Sequence, residues 1–346
     1  MTTAAGCGIE QRKQNWRDFY DRSKPDRHVF MVRFEEMPPD RPCPLLENID
    51  ARVDWAIERY ERHAAQAEWL DDDSIPHLKV FTGTEIFAEP FGCPIHRPPD
   101  DMPCAIPLVS SAAEAGRIKV PRWQDSNLAI LMEIADRLVE RAGPDAILQI
   151  PDIQSPMDIA ALIWDKSDFY VAIMDTPEAV RELSAKVNEL LCGFMDAWFD
   201  RFGLQYVSHY PDYFMDGGIT LSEDEIGIVS PPMFEEYFLP ELNELARRYG
   251  GMGVHCCADS RHQWDGFAKI ENFKMFNLTS RYAEEAYEFF ARTCCMFNWY
   301  TGEGRPWEYV EKLPQDARIV FPVGAKTKDE ALELSEKLRE ACAPRS

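Results

Sequence analysis

Residues 146–158 read Ala146-Ile-Leu-Gln-Ile-Pro-Asp-Ile-Gln-Ser-Pro-Met-Asp158. A short apolar run bounded by turn residues suits a buried strand. Ser155 then stands where a helix N-cap would, with Pro156 at the first helical position and Asp158 three residues after the serine. The unit is strand, short loop, helix, and it recurs along the chain. Strand-like runs at 28–34, near 78–82, and at 146–150, 204–208, 252–256, 274–278, 294–299 and 318–322 make about eight. Helical patterns cover 47–70, 126–142, 177–201, Ser230-Pro231 to about Tyr249, and 282–292. A final helix runs from the Thr327/Glu330 capping box to about Ala341. Such alternation implies a parallel sheet. About eight strands predict an α/β fold of the (β/α)8 TIM-barrel type, forming a single domain over 1–346. Residues 1–25 read as a polar N-terminal extension. The Pro-rich stretch near 78–120 reads as an insertion, expected to form a lid or side wall. Neither GxGxxG after the first strand nor GxxxxGK[ST] is present, which argues against dinucleotide and P-loop nucleotide sites.

The composition narrows the partners. The chain carries 37 basic and 60 acidic side chains, a formal net charge of −23, and 45% hydrophobic residues. A surface this acidic repels nucleic acid and anionic membrane. It also disfavours very anionic substrates unless basic residues gather in the pocket. No basic-then-apolar leader opens the chain, and no run approaches the roughly 20 apolar residues of a membrane helix. Ten cysteines without regular spacing suit a reducing compartment, so a cytoplasmic location is expected.

Active sites of β/α barrels sit at the C-terminal ends of the strands. His255-Cys256-Cys257 ends one strand, and alternation turns His255 and Cys257 to the same face. An imidazole and a thiolate there make half of a zinc site. Gln149 and Asp152 follow the 146–150 strand, and His209, Tyr210 and Asp212 follow the 204–208 strand. Asn277 ends the 274–278 strand, and Asn298, Trp299 and Tyr300 end the next. His209 titrates near neutrality if unperturbed and could serve as acid or base. The aromatic side chains could stack on a flat ligand or simply pack.

Four segments resemble the uroporphyrinogen decarboxylase superfamily, which includes zinc-dependent methyltransferases acting on methylated corrinoid proteins. They are Ile150-Pro-Asp-Ile-Gln-Ser-Pro-Met-Asp158, Met174-Asp-Thr-Pro-Glu-Ala-Val180, Ser230-Pro-Pro-Met-Phe-Glu-Glu-Tyr-Phe-Leu-Pro240 and His255-Cys-Cys-Ala-Asp259. Their order covers roughly residues 125–341. The resemblance implies a zinc ion on His255 and Cys257, which would hold an acceptor thiol as thiolate. It places Asp216, in Asp216-Gly-Gly218, at a turn near substrate, and Arg33 where the family uses arginine to hold carboxylates. The remainder of that segment carries Glu35 and Glu36, which makes an octa-anionic tetrapyrrole a poor substrate. The late cysteine of the methyltransferases has no counterpart around Val323-Gly324-Ala325-Lys326, and Cys342 lies too far along. Cys294, Cys295, His209 or Glu223 are the substitutes for a third ligand.

The expectation is therefore a methyltransferase moving a methyl group between a corrinoid (methylcobalamin) protein and a thiol or pterin acceptor, with zinc assistance. His209, Asp216 and Asn277 are its expected catalytic residues. Arg33, Gln149, Tyr210, Trp299 and Tyr300 are its expected substrate contacts. The alternatives are a lyase acting on a smaller carboxylated substrate, or a non-catalytic corrinoid- or tetrapyrrole-binding protein. A homodimer is compatible with the resemblance.

Overall fold

The computed structural model describes residues 8–34, 40–98, 101–204, 207–278, 280–302 and 304–344. Its centre is parallel. Strands β1 (Val29–Arg33), β2 (His77–Leu78), β3 (Ile147–Leu148), β4 (Ile219–Ser222), β5 (Met252–Cys256), β6 (Phe273–Leu278), β7 (Cys295–Phe297) and β8 (Ile319–Gly324) alternate with helices along the chain. Six of them form one parallel sheet in the order β1-β8-β7-β6-β5-β4, and β2 pairs with β3 in parallel. Short contacts join the two groups. Gln154 bridges Ser222 in the parallel sense, with the Ser222 N–H donating to the Ile153 carbonyl at 2.8 Å. At the other seam the Asp73 N–H donates to the Phe30 carbonyl at 3.0 Å. There the carboxylates of Asp73 and Asp72 accept the N–H groups of Phe30 and Val32, doing for the edge of β1 what a neighbouring strand's carbonyls would do. The result is an α/β fold consistent with a TIM-barrel-like arrangement, and among the described residues no continuous ladder closes the ring.

Strand alternation divides the core in two. Phe30 and Val32 of β1, Phe276 of β6, and Ile319 and Phe321 of β8 face the helices in the larger apolar cluster. Val29 and Met31, Met275, Cys295 and Phe297, and Val320 point the other way, into a smaller inner cluster. That inner space is filled by a hairpin. Val207–His209 pairs antiparallel with Tyr213–Met215, and Tyr213, Phe214 and Met215 join the inner cluster. Gly253 of β5 is where this packing constrains the sequence, because a Cβ there would lie 2.0 Å from the Tyr213 hydroxyl and 2.6 Å from Thr220 Oγ1. The 204–208 run therefore does not supply the fourth parallel strand, which is Ile219–Ser222. Apolar alternation is the same in a hairpin arm as in a sheet strand, so the run alone did not distinguish them; residues 205 and 206 lie outside the described set.

The N-terminal helix Ile9–Tyr20 packs Trp16 and Phe19 against the same inner cluster, at the end where the strands begin. Arg318, buried just before β8, clasps it by donating to the carbonyls of Phe19 (2.7 Å), Asp21 (2.9 Å) and Lys24 (2.7 Å). Helix starts follow their caps. Ser155 Oγ accepts the Asp158 N–H and Thr327 Oγ1 the Glu330 N–H, both at 3.1 Å. The Pro-rich insertion contains short turns and a two-stranded ribbon, Ile95–His96 with Cys104–Ala105, and buries Ile86 and Phe87 in the outer core. Among the described residues no helix is long and apolar enough to cross a membrane.

Candidate active site

The ends of the strands present their side chains in register. Ser222 of β4 stands beside His255 of β5, His255 beside Asn277 of β6, and Asn277 beside Phe297 of β7. Asn277 Nδ2 donates to the Phe297 carbonyl at 2.9 Å, which leaves its Oδ1 to accept from His255 Nδ1. The imidazole is thereby oriented with Nδ1–H toward Asn277 and Nε2 turned away from it. The edge of Tyr210 meets its ring at 4.9 Å between centroids. Asp152 lies nearby and accepts from Ser222 Oγ at 3.3 Å. Burial raises the Asp152 pKa above the ordinary carboxyl value, against the opposing pull of His255 and Lys79.

Cys257 is exposed and turns to the other side of β5. Its thiol donates to Asp224 at 3.2 Å, and its N–H donates to the same carboxylate at 2.7 Å. Burial and the adjacent Asp224 charge push the thiol up to about 11. His255 and Cys257 thus engage opposite neighbours, β6 and the residues after β4. Among the described residues no three His, Cys, Asp or Glu side chains gather where they could share an ion. Cys294 and Cys295 are buried where β7 begins, with Cys295 Sγ directed to the Phe19 carbonyl. Glu223 is buried against Asp158, where desolvation and that second carboxyl raise its pKa well above the ordinary carboxyl value. The zinc expectation accordingly rests on two donors and a resemblance.

The densest charge at this mouth surrounds Asp212, at the tip of the inner hairpin. Its carboxylate lies 3.2 Å from Arg33, 3.3 Å from His77 Nε2, 3.6 Å from Lys79 and 3.9 Å from Arg59. Gln149 Nε2 donates to it at 3.0 Å and to the His209 carbonyl at 3.2 Å, pinning the tip. Burial alone would raise the Asp212 pKa, but Lys79, Arg33 and His77 hold it well below the ordinary value. His77 is pushed down by burial, and burial also lowers Lys79, with Arg59 and Arg33 adding to the effect and Asp212 opposing it. Arg33, Arg59 and Lys79 therefore oppose one firmly ionised carboxylate, Asp212, and one with a raised pKa, Asp152. A protein of net charge −23 keeps a cationic recess here. The Arg33 guanidinium also lies over Trp299, 5.7 Å from the ring centroid.

The sequence-derived candidates divide by position. Arg33, Gln149, Tyr210, His255 and Asn277 come together at the mouth, with Cys257 and Trp299 at its rim. Tyr300 packs outward on Tyr309 and Phe321 and walls a cleft of about 330 Å³ beside β7. Two of the expected catalytic residues, His209 and Asp216, lie away from this mouth. His209 is fully buried in the inner packing, bonded through Nδ1 to Thr220 Oγ1 at 2.9 Å and stacked on Tyr213. Desolvation drives its pKa down to about 3, which keeps the ring neutral at neutral pH. Asp216 lies at the opposite end of the strands, paired with Arg17 of the N-terminal helix at 3.0 Å, its carbonyl accepting from Lys274. The Asp216-Gly-Gly218 turn returns the hairpin to β4 at that end.

Lys79, Arg59, His77 and Asp224 were not singled out by motif reading. One signal was available. Arg52, Ala56, Arg59 and His63 are spaced along one face of the helix Ile49–Ala67, and Arg52, Ala56 and Arg59 are buried. Buried arginines in an amphipathic helix need a partner, and for Arg59 that partner is Asp212.

Comparison with known proteins follows the same outline. Residues 77–297, more than half of the chain, match the family model described as uroporphyrinogen decarboxylase (URO-D). No curated protein matches the chain. Among solved structures, a methyltransferase from Methanosarcina mazei superposes with a TM-score of 0.63 at 12% identity, over 96% of this chain and 97% of that one. A DUF72 family protein from Enterococcus faecalis gives a TM-score of 0.25 at 9% identity over 68% and 96% of the two chains, too low to carry an argument. The first likeness concerns the fold alone.

Proposed function

The chain belongs to the uroporphyrinogen decarboxylase family, and from that premise we propose that it is a lyase that binds a small carboxylated substrate and removes a carboxyl group by proton-transfer chemistry. We read its eight strands as one (β/α)8 barrel, with seams at β1/β2 and β3/β4. The observation that carries the functional reading is the gathering of Arg33, Arg59 and Lys79 at the mouth, a few ångströms from Asp212. Arginine suits carboxylates because its planar fork offers paired donors. A substrate anion held there meets Asp152 and His255 Nε2. Asp152 retains its proton to higher pH than an ordinary aspartate and can deliver it to the carbon left electron-rich when CO2 departs. His255, fixed by Asn277, can accept a proton in the same site. Asp212 positions the cations and keeps their charges apart.

The test is CO2 release from a panel of small carboxylic acids. Wild type should turn over at least one acid, Arg33→Gln should abolish that turnover, and Asp152→Asn should lower it by about 10²–10⁴. Turnover that survives both substitutions would rule out this assignment.

A second reading is methyl transfer between a corrinoid protein and a thiol or pterin, as the superfamily resemblance implies. It is favoured by the fold likeness to the Methanosarcina mazei methyltransferase and by the exposed thiol of Cys257, two residues after His255 and just past the end of β5. Its test is consumption of methylcobalamin with a thiol acceptor, together with zinc content measured in wild type and in a His255→Ala, Cys257→Ala double variant. Demethylation lost with the zinc in the double variant would favour it over the lyase.

A further inference from the structure

Lys79 has more than an ion-pair role. We propose that its Nζ condenses with the carbonyl of a keto acid whose carboxylate is held by Arg33 and Arg59, so that the substrate is a keto acid bound as a Schiff base. The inference rests on the lyase reading and adds a covalent step to it. Lys79 directly follows β2, and strand alternation turns it to the same side as His77 while Leu78 enters the outer core. Both side chains reach Asp212, at 3.3 Å for His77 and 3.6 Å for Lys79. The Lys79 side chain is 20% exposed, buried enough to be desolvated and open enough for substrate to touch. Burial lowers the Lys79 pKa, and the two guanidinium groups on the same carboxylate add to that against the opposing charge of Asp212. Desolvation and cationic neighbours are the conditions that keep a lysine amine unprotonated and nucleophilic. Lys274, the half-buried amine at the other end of the strands, instead donates to the Asp216 carbonyl at 2.9 Å.

The chemistry balances without an oxidant or reductant. The Nζ lone pair adds to the carbonyl carbon, the oxygen takes a proton from Asp152, and water leaves as the C=N bond forms. In a 3-keto acid, the electrons of the bond to the carboxylate then flow into the protonated imine, giving CO2 and an enamine. Asp152, reprotonated from solvent, protonates the enamine carbon. Water adds to the resulting iminium and releases the ketone with the free amine. The sum is keto-acid carboxylate plus one proton giving ketone and CO2.

The test is reductive trapping. Wild-type protein is incubated with acetoacetate, reduced with borohydride, digested and analysed by peptide mass spectrometry. The peptide containing Lys79 should carry the reduced adduct. The adduct should vanish in Lys79→Arg, whose thermal midpoint is checked to show that it folds, and it should be suppressed by excess malonate. Absence of an adduct on Lys79 in wild type, or equal labelling of other lysines in Lys79→Arg, overturns the proposal. Malonate that binds wild type but not Arg33→Gln, with no adduct formed, would sink the Schiff base while leaving the carboxylate site standing. Failure of malonate to bind at all would sink both.

Discussion

Replacing Asp212 with Asn removes one negative charge and almost no volume. Arg33, Arg59 and Lys79 would then face one another across a neutral amide. The side chains of Asp212, Arg33 and Lys79 are 14%, 21% and 20% exposed, so the cluster is far from a surface ion pair. Removing one partner from a buried ion cluster costs about 3–5 kcal/mol, chiefly through the charges left unpaired. At about 2.1 cal/mol/K per residue, unfolding entropy for 346 residues is about 0.7 kcal/mol/K, so the midpoint should fall by about 4–7 °C. The vacancy is anionic in character, so malonate should fill it. At a hundredfold excess over its dissociation constant, a ligand of the native state adds about 2.7 kcal/mol, recovering about 4 °C. The assay is thermal unfolding by circular dichroism at neutral pH, with and without malonate, on wild type and Asp212→Asn. An unchanged midpoint in the variant would refute the electrostatic reasoning. So would a lowered midpoint that malonate fails to raise.

Three other outcomes follow from the geometry. His209 is neutral when folded, with its pKa lowered from 6.5 to about 3, so the unfolded state takes up the proton first. Its stabilising contribution is fully present above about pH 6.5 and is lost on acidification at about 1.4 kcal/mol per pH unit. Urea titrations should show wild type losing about 2 kcal/mol more than His209→Gln between pH 6.5 and about pH 5; parallel losses would contradict the assignment. Gly253→Ala pushes a methyl into the Tyr213 hydroxyl, an overpacking that costs about 1–3 kcal/mol, and adding Tyr213→Phe should return part of it. Purely additive losses in that cycle would argue against a hairpin packed inside the strands. Asp152→Asn should lower kcat by about 10²–10⁴ while malonate still binds. In wild type the step that uses the Asp152 proton should slow as pH rises through its elevated pKa, and a rate flat across acidic pH would speak against that role.

Most of the element order was legible because caps and strand-length apolar runs are local signals. Ser155-Pro156 and Thr327/Glu330 begin helices where expected, and the runs around residues 29, 252, 274, 295 and 319 became neighbours in one sheet. The exception is instructive. The run 204–208 reads as a strand, but its end at Val207 opens a hairpin with Tyr213–Met215 that fills the interior. That difference lies in long-range packing, in particular the space left by Gly253. Site legibility follows the same division. Strand-end positions led to Gln149, His255 and Asn277, since distance along a strand fixes height at the mouth, and the family resemblance led to Arg33. His209 and Asp216 share the hairpin with Tyr210 and Asp212, but only the tip of that hairpin reaches the mouth. The focus on Asp212 was hidden because its partners come from β1, the Ile49–Ala67 helix and the β2 end, far apart in sequence.

The central claim is that the mouth is built around a recess for a substrate carboxylate. A crystal structure of the protein soaked with malonate tests it most directly. Malonate should lie with one carboxylate on Arg33 and Arg59 and its other end toward Asp152 and His255. Malonate absent from the mouth, or bound there without touching Arg33, Arg59 or Lys79, would contradict it.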